Sequence, residues 1–283
     1  MPIEVRNLTH VYMRGTPSEV TALSDISFRI EDGEFVGLIG ATGSGKSTLI
    51  QHLNGLLKPT SGTVLVDDMD IWAKGSSLKE VRRKVGLVFQ FPEQQVFEET
   101  VFDDIAFGPE NLGLSEDEVK RRVERARLMV GLSEEIMSRS PFELSGGQLR
   151  RVAIAGIVAM EPKVLILDEP AAGLDPRGRN EILGNVKRLH ESGLTVILVS
   201  HNMEDVARLC QRILVLDKGR LVADGSPREV FTRGDLLRSV GLRPPDVVSL
   251  MERLRQKGWK VRTDVLTVEE AYEEIVRELN GKG

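Results

Sequence analysis

The run Gly40-Ala41-Thr42-Gly43-Ser44-Gly45-Lys46-Ser47-Thr48 constrains this chain more than any other segment. It fits the phosphate-binding loop pattern G-x4-G-K-[ST] in full. An apolar, strand-like run precedes it at residues 34–39, and leucines at helical spacing (Leu49, Leu53, Leu56) follow it up to Lys58-Pro59. Glycines let the backbone curl so that successive N–H groups point at phosphate oxygens. The start of a helix adds about half a positive charge at the same place. In such a loop Lys46 reaches the β- and γ-phosphates and the Ser47 hydroxyl ligates Mg²⁺.

The rest of the chain supplies the frame that such a loop needs. Further strand candidates are residues 85–90, 164–167, 195–199 and 213–216. Several are almost purely apolar, which suits strands covered on both faces of a parallel sheet. Helical segments lie between them. Ser115 with Glu118 reads as a capping box before the apolar face Val119, Val123, Ala126 and Val130. Asp175-Pro176 reads as an N-cap with proline at the first helical position, ahead of Ile182, Val186 and Leu189. This alternation predicts an α/β fold. The N-terminal part and residues 62–71, rich in turn residues and alternating in polarity, read as antiparallel additions. From Ser226 onward the pattern changes to a small helical appendage. It carries two more capping boxes (Ser226 with Glu229, Thr267 with Glu270) and apolar faces at Val247, Leu250 and Leu254 and at Val268, Tyr272, Ile275 and Leu279.

Composition narrows the class. Among 283 residues there are 38 basic and 43 acidic side chains, a net charge of -5, which argues against a nonspecific nucleic-acid binder. One cysteine excludes an intramolecular disulfide framework and points to a reducing compartment. No apolar run approaches the ~20 residues of a membrane-spanning helix, and Met1-Pro2-Ile3-Glu4 opens no apolar signal core. A soluble cytoplasmic protein is expected, with contact to a membrane left to a partner.

Two further segments bear on chemistry. The run Val164-Leu165-Ile166-Leu167-Asp168-Glu169 ends an apolar strand in two carboxylates. In open α/β sheets ligands bind beyond the carboxyl ends of the strands, so Asp168 arrives near the phosphate loop to hold Mg²⁺, and Glu169 is free to orient or deprotonate a water. The run Leu144-Ser145-Gly146-Gly147-Gln148 opens another helix and makes a second anion-binding nest. Two nests with one Asp-Glu pair suggest two chains, each completing the other's nucleotide site.

At these residues the chain resembles the ATP-binding cassette (ABC) ATPases. Residues 144–148 are similar to the family signature letter for letter, and the resemblance covers roughly residues 3–225. It implies a RecA-like P-loop core with an antiparallel β subdomain and a helical signature subdomain, hydrolysis of ATP with Mg²⁺, and a head-to-tail dimer of cassettes closing around two ATP molecules. By the same resemblance, Tyr12 stacks on adenine, Gly40, Thr42, Gly43, Ser44, Gly45, Lys46, Ser47 and Thr48 hold the phosphates, and Ser145, Gly146, Gly147 and Gln148 contact the partner's nucleotide. Asp175 lies in the loop that crosses the interface. Asp168, Ser47 and Gln90 hold the metal. Glu169, His201, Gln90 and Lys46 carry catalysis, His201 as the switch histidine. Ala171 stands where the family commonly has Thr or Ser. His10, His52 and His190 fall outside every motif and are read as structural, and Cys210 as core.

The wording Phe89-Gln90-Phe91-Pro92-Glu93-Gln94-Gln95-Val96-Phe97 and Ala172-Gly173-Leu174-Asp175-Pro176 is similar to the A-type ATPases of energy-coupling factor transporters. That resemblance implies a peripheral subunit on the cytoplasmic face of the cell membrane. Its partners are a second ABC ATPase (a related subunit or a second copy), a transmembrane coupling protein and a membrane-embedded substrate-binding protein. The solutes are vitamins or transition-metal ions, and no nucleic acid is bound. The expected division is a cassette at 1–225 and, at 226–283, a mainly helical extension that is a candidate dimerisation element. The alternatives from other classes are a soluble ABC ATPase remodelling nucleic acid or ribosomes, and a regulatory nucleotide-binding subunit with little turnover.

Overall fold

The computed structural model describes residues 2–280. Two sheets carry the architecture. The first is antiparallel, in the order β2 (Val20–Ile30), β1 (Ile3–Tyr12), β4 (Ser61–Val66), β5 (Met69–Asp70). The second has the order β10 (Arg220–Gly225), β9 (Arg212–Asp217), β3 (Phe35–Gly40), β8 (Thr195–Val199), β7 (Val164–Asp168), β6 (Val85–Val88). All of its pairings are parallel except the β9–β10 hairpin. Strands β3, β6, β7 and β8 are buried along their whole length, which is why their sequences are continuous apolar runs rather than alternating ones.

Helices cover both faces. On one side α1 (Lys46–Leu53) and α2 (Leu78–Lys84) lie between the parallel sheet and the antiparallel sheet, and Leu8, Ile26, Leu49 and Val64 share a core with Ile166 and Ile197. On the other side α3 (Val101–Asn111), α4 (Glu116–Met129) and α5 (Gly146–Val158) form a helical layer with α6 (Pro176–Glu191) and α7 (Met203–Leu209). The predicted faces of α4 and α6 are buried, Val119, Val123 and Ala126 on one and Ile182, Val186 and Leu189 on the other.

After β10 the chain runs through α8 (Pro227–Phe231), α9 (Gly234–Ser239), α10 (Asp246–Gln256) and α11 (Val268–Asn280). Val230, Phe231, Leu237, Leu242 and Val248 join the main core, whereas Met251, Val261, Val265 and Ala271 make a small cluster of their own.

Local expectations are corrected at six places. Helix α1 ends at Leu53, well before Pro59, because Gly55 turns the chain out at φ 69°. Strand β6 ends at Val88, so Gln90 sits two residues beyond it. Ser115 caps α4 by position without a side-chain hydrogen bond, and the reciprocal half of the box is also missing because the Glu118 carboxylate pairs with Arg121 and with Arg122 (2.7 Å). Helix α10 buries Val248 and Met251, not Leu250, which is 47% exposed. Helix α11 buries Ala271 and Glu274 and leaves Val268, Tyr272 and Leu279 exposed. From outside the helix Glu274 accepts from Arg262 N at 3.2 Å and Arg262 Nε at 2.9 Å, and on the same side Ala271 and Ile275 pack on the small C-terminal cluster. The Ser226–Glu229 box forms in full. At Thr267 the hydroxyl caps Glu270 N at 3.2 Å, and the Glu270 carboxylate turns to Leu266 N and to Arg228.

Candidate active site

Parallel pairing brings the carboxyl ends of β3, β6, β7 and β8 to one edge of the sheet, with Asp168 in register with Val199. The phosphate loop follows β3, Gln90 follows β6, Asp168 and Glu169 end β7, and His201 follows β8. These side chains, spread over more than a hundred residues of sequence, therefore line one place.

The loop needs its glycines at two points for different reasons. A methyl at Gly40 would lie 2.4 Å from both the Leu216 carbonyl oxygen and Ser44 Oγ. Gly45 has φ 104°, and a Cβ there would lie 2.7 Å from the Ala22 carbonyl oxygen. Thr42 and Gly43 are exposed at the crown of the loop. Ser44 Oγ is buried with no hydrogen-bond partner, an orphan of the kind a phosphate oxygen satisfies. Lys46 Nζ donates to the Gly40 and Ala41 carbonyl oxygens at 2.8 and 3.1 Å, folded over the nest. Burial pushes its pKa down, against the pull of Glu169 and Asp168. Ser47 Oγ donates to Asp168 Oδ2 at 3.4 Å. The Asp168 carboxyl is pushed up by burial and then by Glu169, against Ser47, Lys46 and His201. A hydroxyl and a desolvated carboxylate side by side fit Mg²⁺, which takes one or two protein oxygens and completes its shell with phosphate and water.

Glu169 is the pivot. Its backbone is left-handed at φ 50°, unusual for a residue with a side chain, and its N–H donates to the Val199 carbonyl oxygen at 3.0 Å. The twist ends strand β7 and turns the carboxylate toward two other strand ends. Its Oε1 lies 2.9 Å from His201 Nε2, and its Oε2 accepts from Gln90 Nε2 at 3.5 Å. Three candidates predicted from separate segments thus meet on one carboxylate.

Tyr12 ends β1, and its hydroxyl lies 3.3 Å from Thr48 Oγ1, so the half-open ring stands over the start of α1. Behind it His10 packs edge-on at 4.4 Å, and His10 and His52 share a hydrogen bond of 3.1 Å. These two histidines are structural in the sense expected, and they form the wall behind Tyr12.

The second nest opens α5. Ser145 caps it in a full capping box with Gln148, whose Oε1 accepts from Ser145 N at 3.0 Å. Gly146 and Gly147 have open space where a side chain would be. This nest and Gly173, Leu174 and Asp175 line one cleft of about 520 Å³, while Ala41, Thr42 and His201 line another. Asp175 caps α6, accepting from Gly178 N at 2.6 Å.

Arg150 is a residue the motifs did not single out. It is 4% exposed. It donates to the Pro170 and Ala172 carbonyl oxygens at 3.2 and 2.6 Å and to Glu93 at 3.1 Å, joining the signature helix, the loop after Glu169 and the segment after Gln90. Its signal in sequence was weak, one of two adjacent arginines ahead of an apolar run, and only its burial shows that it must be paired.

Comparison with known proteins accords with this geometry. Residues 23–172 match the family described as ABC transporter. The chain belongs to the ABC transporter ATPases. It is 58% identical to the energy-coupling factor transporter ATP-binding protein EcfA2 of Clostridium tetani, over 100% of this chain and 99% of the relative. It is also 58% identical to EcfA2 of Caldanaerobacter subterraneus, over 99% of each. Among solved structures, cbiO1 of Clostridium perfringens, described as part of the ABC transporter complex cbiONQ, superposes with a TM-score of 0.75 at 41% identity, covering 88% of this chain and 98% of that one. The MJ0796 cassette, described as a dimeric post-hydrolysis state bound to ADP and Pi, gives 0.71 at 30% identity, covering 80% and 98%. This ABC ATPase therefore has the RecA-like α/β core, the antiparallel β subdomain and the helical signature subdomain expected of it. Among its described residues no helix is long and apolar enough to cross a membrane.

Proposed function

We propose that this ABC ATPase powers an energy-coupling factor importer from the cytoplasmic face of the cell membrane, hydrolysing ATP between two cassettes. The observation that carries the reading is the meeting of Gln90, Glu169 and His201 beside Lys46 and Asp168 at one sheet edge, with the signature nest in a different cleft. Each nest then serves the other cassette's nucleotide in a head-to-tail dimer.

ATP lies with its adenine on Tyr12 and its phosphates on the N–H groups of the loop. Lys46 leaves the carbonyls of Gly40 and Ala41 for the β- and γ-phosphates. Ser47, Asp168 and Gln90 would hold Mg²⁺, which would supply charge to offset that of the phosphates. Glu169 orients a water and accepts its proton as the oxygen attacks the γ-phosphorus. The bond to the β-phosphate oxygen breaks and ADP leaves. His201, hydrogen-bonded to Glu169, holds the γ-phosphate in line. Loss of the γ-phosphate reopens the dimer.

The partners are a second ABC ATPase, a transmembrane coupling protein and a membrane-embedded substrate-binding protein for a vitamin or transition-metal ion. The proposed division is a cassette at 1–225 and an extension at 226–283, with Val230, Phe231 and Leu237 of the extension packed into the main core. The exposed Val268, Tyr272 and Leu279 on α11 support a dimerisation role for the extension. Co-purification from detergent-solubilised membranes tests the assignment. A complex with hydrophobic subunits supports import. Hydrolysis stimulated by nucleic acid or ribosomes, without such subunits, overturns it.

A further inference from the structure

We propose that Arg179 and Asp205 are positioning residues for hydrolysis, tying the loop that faces a second cassette to the switch histidine. This rests on the role given above to His201. Arg179 lies in the first turn of α6, and its N–H donates to the Asp175 carbonyl oxygen at 2.9 Å. The start of this helix therefore moves with residues 171–175. Asp205 lies in the first turn of α7. Its N–H donates to Asn202 Oδ1 at 2.9 Å, and Asn202 directly follows His201.

The two helix starts, 26 residues apart in sequence, are joined by one ion pair. Arg179 Nη2 and Nε donate to Asp205 Oδ2 at 2.6 and 3.0 Å. The Asp205 side chain is 10% exposed and that of Arg179 is 32% exposed. The guanidinium is a planar fork, so two bonds from it fix direction as well as distance. Asp205 is the desolvated partner, so loss of Arg179 leaves a largely buried carboxylate with only Arg208 at 3.9 Å beside it. Arg208, also on α7, lies 3.9 Å from the other Asp205 oxygen but is half exposed, and being on the same helix it ties Asp205 to nothing new.

Arg179 and Asp205 also border, with Glu169 and His201, a cleft of about 350 Å³. The carboxylate, its histidine and the ion pair thus line the same cleft. When a second cassette presses on residues 171–175, α6 shifts at its start. The ion pair carries that shift to the start of α7, and His201 turns relative to Glu169. A chain of hydrogen bonds and an ion pair of this kind is one physical route by which coupling between two loops is carried, and the cycle below measures it.

The test is a double-mutant cycle on ATP hydrolysis by the complete, purified transport complex, with residual turnover read from radiolabelled ATP. Asp205→Asn keeps the shape and removes the charge. The expected result is a fall in kcat of about tenfold with KM for ATP nearly unchanged, and little further fall when Asp205→Asn is added to His201→Ala. If Asp205→Asn unfolds the protein, Arg179→Lys, which keeps the charge and loses the fork, takes its place in the cycle. An equal fall in both backgrounds, or a raised KM with kcat intact, overturns the coupling and leaves His201 in its role. Normal hydrolysis by His201→Ala alone overturns the role of His201 and this coupling together.

Discussion

His201 Nε2 lies 2.9 Å from Glu169 Oε1. The carboxylate is also approached by Gln90, so it is oriented from the ends of two neighbouring strands before any nucleotide arrives. Orientation of this kind is what a group that positions water needs, because phosphoryl transfer depends mainly on placement and charge.

Glu169→Gln keeps the size of the side chain and both contacts in outline, and removes the base. ATP affinity should stay close to that of the wild type while hydrolysis by the complete complex falls by roughly 10²- to 10⁴-fold. Calorimetric titration and a phosphate-release assay read the two quantities separately. Turnover within a few-fold of normal removes Glu169 from the centre of the mechanism.

Tyr12 offers a ring above the start of α1 and a hydroxyl near Thr48. If the ring stacks on adenine, Tyr12→Ala weakens ATP binding by about 1–2 kcal/mol, whereas Tyr12→Phe costs far less. Equal losses in the two variants would assign the effect to the hydroxyl instead.

The pair His10 and His52 predicts a pH dependence. Burial holds both below the ordinary histidine value of 6.5, and His10 lowers His52 further. The unfolded chain therefore takes up these protons before the folded one does. Stability is fully present above pH 6.5 and is lost as the pH falls through the depressed folded values. The melting temperature of the wild type should drop as the pH falls below about 6.5, and His10→Gln combined with His52→Gln should flatten that drop. An identical slope in the double variant would place the acid sensitivity elsewhere.

Arg150→Ala strands the Glu93 carboxylate and leaves two carbonyl oxygens without their donor. A loss of about 3 kcal/mol in unfolding free energy is expected, measured by urea titration. A change under about 0.5 kcal/mol, the size of an ordinary surface substitution, would show that the network is relieved by water.

Much of the site was legible because its chemistry is local. A glycine loop between a strand and a helix, an apolar strand ending in Asp168-Glu169, and a helix opened by Ser145-Gly146-Gly147 each carry their signal within a few residues. The capping at Asp175 and Ser226 was legible for the same reason, since the cap and its N–H lie three residues apart. Arg150, and the ion pair of Arg179 with Asp205, were not, because their partners come from other segments and an arginine's periodicity does not say what it pairs with. The C-terminal faces went wrong on the same ground. Apolar spacing on α11 pointed to Val268, Tyr272, Ile275 and Leu279; of these Ile275 packs inward, while the buried side also carries Ala271 and Glu274, the latter held by Arg262 from outside the helix.

The sequence by itself determined the class of fold, the phosphate-binding loop and the identity of the carboxylates, since these follow from spacing along one strand or one turn. Only the tertiary structure decided that Gln90, Glu169 and His201 converge, how Tyr12 is backed by two histidines, and which face α11 buries. Convergence depends on parallel strand order, which brings the ends of distant segments to one edge. Burial of a charged face depends on partners in space, which a residue's own neighbours do not specify.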